Sequence, residues 1–130
     1  MITLADIRDY IKDLNIAEHH YIGKLDEKLD KSIGVYTLRR GGRPVTAIGG
    51  NSSYDKIGVS ILIHWDSNAA RTETAARRLY EHFRTADHIT IRDHTVYLVD
   101  LLVPEPIDVG TDDKCVYERE IEMEIYYERK

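Results

Sequence analysis

Near the start of the chain, Leu4, Ile7, Ile11 and Leu14 recur at three- and four-residue intervals, which gathers them on one face of a helix expected from about Leu4 to Leu14. Thr3 precedes this run with Asp6 three residues on, a spacing related to the capping box. After Asn15 the period shortens. Tyr21 to Leu25 and Ile33 to Leu38 are short β-leaning runs around the charged stretch DEKLDKS, and together they predict a hairpin with a polar connection. Val45 to Ile48 is a further short strand candidate. The strongest strand pattern in the first half is Ile57 to Trp65. There Val59, Ile61, Ile63 and Trp65 face one way and Leu62 lies among the residues facing the other, as expected of a central strand.

Asp66, Ser67 and Asn68 then offer several N-caps for a second helix reaching about Arg84, with Ala75, Ala76, Leu79, Tyr80 and Phe83 on one face. Its alanines allow close approach to a sheet. Ile89 to Arg92 and Thr95 to Val103 read as two strands joined near Asp93 and His94, and Pro104 and Pro106 end the second. PEPIDVGTDDK reads as a loop, and Val116 to Tyr127 as a long alternating strand. Helix, strands, helix, strands, with short connections late in the chain, predicts an α+β fold: two helices packed on a mostly antiparallel sheet.

Composition narrows this picture. The length of 130 residues predicts one domain over 1–130, and 42% hydrophobic with 32% charged residues predicts a soluble, folded chain. No apolar run approaches the roughly 20 residues that cross a membrane, and MITLADIRDYIKDL has acidic residues where a signal peptide carries basic ones. Cys115 is the only cysteine, which excludes an internal disulfide and a multi-cysteine zinc site and predicts synthesis in the cytoplasm. A formal net charge of -5 argues against a dedicated nucleic-acid binder, though a protein that merely sits beside DNA is compatible with it.

Candidate chemistry is sparse. Glu18 with His19 and His20, Asp87 with His88, and Asp93 with His94 combine metal-ligating residue types, but none forms an informative motif, so solvated histidines near element ends are expected. His64, Asp66 and Ser67 supply the residue types of a hydrolase triad without a GxSxG elbow, and helix capping explains them better. Cys115 is expected to be a packed or half-buried thiol, and Gly49 to Ser53 a loop without the spacing of a phosphate-binding loop. Arg39, Arg40 and Arg43 around Gly41 and Gly42 can hold phosphate or a partner's carboxylates, or form a solvated basic turn. In the last strand, a period of two puts Ile121, Met123 and Ile125 on the packed face and Glu118, Glu120, Glu122 and Glu124 together on the other. Nine tyrosines against one Phe and one Trp suit core edges and subunit contacts.

The order of opening helix, IGVSILIHW strand and alanine-rich helix, followed by PEPIDVGTDDK and CVYEREIEMEIYYERK, resembles phage minor capsid and tail-terminator proteins. Pro106, Gly110, Asp112, Tyr117, Tyr126 and Tyr127 carry the resemblance at the C-terminal end, whereas the uniform acidity of Glu118 to Glu124 departs from the family's pattern. The resemblance implies a non-enzymatic subunit of phage or prophage tails, without cofactor or metal. It implies a hexameric ring that stops tail-tube growth, meets the tube protein and presents a surface to a head-completion or connector protein. On that reading the subunit is made in the host cytoplasm and ends in the virion, and the four glutamates either line or border an opening through which DNA passes without specific binding or form an ordinary solvent-facing strand. Two other roles remain open at this point: a head–tail connector or neck protein, and a small metal-dependent hydrolase or nuclease.

Overall fold

Thr3 and Asp6 form the reciprocal cap that starts the first helix: the Thr3 N–H donates to Asp6 Oδ2 at 2.9 Å, and the Asp6 N–H donates to Thr3 Oγ1 at 3.2 Å. The computed structural model, which describes residues 1–26, 28–39 and 53–129, continues from this helix, α1 (Leu4–Lys12), to β1 (His19–Ile22), β2 (Ser32–Thr37) and β3 (Tyr54–His64). Then follow α2 (Ala69–Thr85), β4 (Thr90–Ile91), β5 (His94–Leu101), β6 (Ile107–Thr111) and β7 (Tyr117–Glu128). The α+β expectation holds, with both helices on one face of a mostly antiparallel sheet. Strand order is β1-β2-β3-β7-β5-β4, with β6 also paired to β7.

The period of two decides which side chains enter the core. Odd-numbered residues of β3 and β7 turn toward the helices: Val59, Ile61, Ile121, Met123 and Ile125 are fully buried. Ile33 and Val35 of β2 join them across the register Ile33↔Ile63 and Val35↔Ile61. From above, α1 contributes Ile7 and Ile11, and α2 contributes Ala75, Ala76, Leu79, Tyr80 and Phe83, the residues expected from its periodicity. The helices are tied by one polar link, Tyr10 Oη to His82 Nε2 at 2.6 Å. Burial pushes the Tyr10 phenol up and His82 down, so this is a bond between neutral groups near neutral pH.

Three elements differ from expectation. The β1–β2 pair is parallel, His19↔Ser32 to Ile22↔Val35, and is not a hairpin. β1 is so short that residues 23–31 suffice to return the chain to the same end of the sheet, helped by Gly23 at φ 71. The expected loop PEPIDVGTDDK contains β6, an edge strand whose Pro-led start and bulge between Asp108 and Gly110 hide its pattern. Third, β4 is only two residues long, and Arg92 and Asp93, both at positive φ, form the turn to β5 one residue earlier than expected. The strand expected at Val45 to Ile48 lies outside the described residues.

Gly110 adopts φ 95, and a Cβ there would meet nothing within 4 Å, so its cost is purely conformational. Gly110→Ala is expected to lower stability by about 1–2 kcal/mol, read as an earlier urea midpoint with unchanged slope. An unchanged midpoint would show that the bulge does not require glycine.

Candidate functional site

The face of the sheet away from the helices is where polar chemistry collects. Even-numbered positions of β7 place Glu118, Glu120, Glu122 and Glu124 in one row beside Lys56, Ser60, Leu62 and His64 of β3. All four glutamates are half-buried, not fully solvated. Side chains of β3 hold this row in place. Glu118 Oε2 lies 3.0 Å from His64 Nδ1, Glu120 Oε1 accepts from Ser60 Oγ at 2.6 Å, and Glu124 Oε2 pairs with Lys56 Nζ at 3.2 Å. The row is therefore a carboxylate surface tied to its neighbour strand, with an ion pair to Lys56 at one end and the His64 contact at the other.

Two adjoining cavities open on this face. One, of about 490 Å³, brings Arg39 together with Glu120 and Glu122 over Tyr36, Ser60 and Leu62. The other, of about 640 Å³, shares Tyr36 and Leu62 and reaches Glu118, Lys24, Lys28 and Lys114. Gly34 makes this floor possible, since a Cβ there would sit 2.8 Å from the Tyr36 ring. The structure thus joins two groups that the sequence presents separately, Arg39 and the acidic strand. Arg39 is exposed at the end of β2, while Arg40 and Arg43 lie outside the described residues.

His64 closes one end of the row. It is fully buried, with Nε2 3.9 Å from Asp112 Oδ2 and without a hydrogen-bond partner among the described residues. Asp112 in turn shapes the β6–β7 turn: its Oδ1 accepts the N–H groups of Lys114 at 2.8 Å and Val116 at 2.9 Å. Burial pushes the Asp112 carboxyl up. The Val116 and Lys114 N–H groups and the attraction of His64 more than offset this, and hold it below the usual carboxylate range. Neither residue's part here is visible in sequence, because the turn brings them together across the sheet.

The other candidates do not converge. Asp66 accepts from the Asn68 N–H and from Arg71, Asn68 is the actual cap of α2, and Ser67 is exposed, so no triad forms with His64. Cys115 is exposed at φ 63 and is not the packed thiol expected, because it occupies the tip of the turn that Asp112 organises. His94 is buried edge-on to Tyr127, Asp87 and His88 are exposed, and His19 and His20 point to opposite faces of β1. Among the described residues no group of three or more His, Cys, Asp or Glu side chains could hold a metal ion. No described helix is long and apolar enough to cross a membrane.

A family model described as bacteriophage tail terminator protein matches residues 1–129. The chain belongs to the bacteriophage tail terminator family. No curated protein matches it. Membership gives the chain a structural role in phage tails and makes it a virion component that works with other tail components. In this tail terminator, groups lining the polar face are held by side-chain pairs to the neighbouring strand.

The Asp112 turn gives a direct test. Both backbone bonds fall on Oδ1 and the His64 approach on Oδ2, so Asp112→Asn can keep the turn while removing the charge. Because the native pKa is depressed, the wild type's advantage over this variant should be full above about pH 4 and vanish as pH falls through the lower native value. Asp112→Ala should cost about 1–2 kcal/mol more than Asn at neutral pH. Urea denaturation between neutral and acid pH measures both. An Asn variant with the wild type's acid limb would remove the charge from the account.

Proposed function

We propose that this tail terminator is the non-enzymatic subunit that closes the head-proximal end of the tail tube as a hexameric ring, stops tube growth and presents the surface to which the head-completion or connector protein joins. The family match over residues 1–129 carries this reading. The polar sheet face is compatible with it: the row from Glu118 to Glu124 lies on the side of the sheet opposite the helix-covered core, and in the ring it would border the opening. DNA passing through would meet like charge, which suppresses sticking by the same electrostatics that make basic grooves retain phosphates. No cofactor and no catalytic group is needed. Arg39, with Arg40 and Arg43, contacts a carboxylate-bearing partner, tube or head, because guanidinium groups pair bidentately with carboxylates.

Assembly of tails without this chain should give tubes of uncontrolled length that fail to join heads, and adding it back should restore uniform length. Adding back a chain with Arg39, Arg40 and Arg43 all changed to Glu should leave its thermal midpoint unchanged and reduce joined particles at least tenfold. Electron microscopy of the particles measures both effects. Uniform tubes in the absence of the chain would contradict the terminating role, and normal joining by the Glu variant would reduce the arginine loop to a solvated turn.

A further inference from the structure

Two surfaces on opposite flanks of α2 are unused by the polar face, and they complement one another. On one flank lies an apolar, acidic edge. Of nine exposed large apolar side chains among the described residues, five fall between Tyr97 and Val109: Tyr97, Leu98, Leu102, Ile107 and Val109. Residues 97–113 contain Asp100, Glu105, Asp108, Asp112 and Asp113 and no lysine or arginine. The backbone there is also incomplete. β6 pairs only with β7, and β5 pairs with β4 only at His94 and Thr95, so the outer edges from Tyr97 onward are unpaired among the described residues. Unpaired apolar edges are the surfaces that proteins cover or use for association.

On the other flank is a groove of about 400 Å³, lined by the apolar groups of Trp65, Ala70 and Ala75 and rimmed by Lys31, Arg71 and Arg78. Arg71 is held by Asp66 at 2.8 Å, whereas Lys31 and Arg78 have no ion-pair partner among the described residues. The helix separates the two surfaces. Arg77 reaches Glu105 at 3.0 Å on the edge side, and Arg78, one residue and about 100° further round, lines the groove.

We infer that the segment from Leu102 to Val109 of one copy docks in the Lys31–Arg71–Arg78 groove of a second copy, head to tail. This rests on the ring reading and names its subunit contact. Charge complementarity chooses the occupant: an acidic segment with apolar side chains satisfies both the cationic rim and the Trp65 wall, while phosphate would satisfy only the rim. Because the two surfaces are different and lie on opposite flanks, the contact is heterologous, and repeating it closes a ring when the rotation between copies permits. The helix-free face then remains open toward the axis.

Sedimentation velocity on the full chain tests this with a groove variant, Lys31→Glu with Arg78→Glu, and an edge variant, Ile107→Gln with Val109→Gln, which removes the apolar side chains without adding a charge that could pair with the mutant groove. All four positions are exposed, and unchanged thermal midpoints would confirm folding. The wild type should self-associate with concentration. Each variant alone should do so at least tenfold more weakly, and an equimolar mixture should form a discrete one-to-one dimer, since one intact groove then meets one intact edge. A mixture that stays monomeric, or variants that associate like the wild type, would overturn the contact. So would a groove variant that self-associates normally but loses affinity for a short DNA duplex, which would assign the groove to phosphate. A dimer in the mixture, with no ring at the tail end, would retain the contact and refute the ring. A ring at the tail end with no dimer would place subunit contacts elsewhere.

Discussion

Everything in this structure depends on the two-residue period of β7. Its odd positions fill the core with Ile121, Met123, Ile125 and Tyr127, and its even positions form the carboxylate row. The strand is held on both edges, by β3 along its length and by β5 and β6 on the other side. A one-residue slip against β3 would drive four glutamates into an apolar layer and expose three large aliphatic side chains. Burying unpaired carboxylates is so costly that the register has no competitor. The polar face is thus a consequence of how the core is built.

The same constraint explains what could be read from sequence. The opening helix, the Ile57 to Trp65 strand, the alanine-rich helix and the terminal strand are all elements whose apolar positions meet the core, and periodicity reports that meeting directly. Elements held mainly by backbone pairing were harder. β6 exposes Ile107 and Val109 and is interrupted by a bulge at Gly110, so its turn-forming residues outweighed its alternation. The direction of β1 against β2 was illegible because alternation is the same in parallel and antiparallel pairs; what decides it is the path of residues 23–31.

Site residues followed the same division. The grouping of Glu118, Glu120, Glu122 and Glu124 was legible, since period alone sets it. Their partners were not: Ser60, His64 and Lys56 come from a strand more than fifty residues away in sequence, and only the β3–β7 register aligns them. Nor could sequence show that Arg39 opens onto the same cavity as Glu120 and Glu122. These pairings alter the physical character of the face. Instead of a bare row of side chains, it is an acidic face whose carboxylates are tied to Ser60, His64 and Lys56 of the neighbouring strand.

This arrangement gives the molecule four exterior regions: a helix layer, an acidic sheet face, and two flanks of opposite charge. In a tail terminator the flanks would serve neighbouring copies and leave the sheet face for the opening. An electron cryomicroscopy reconstruction of the head-proximal tail end, at a resolution that separates strands, tests that assignment most directly. The account predicts one closed ring of this chain at that end only, with the Glu118–Glu124 face turned toward the axis. A ring with that face on its outer circumference, or copies distributed along the tube, would contradict it.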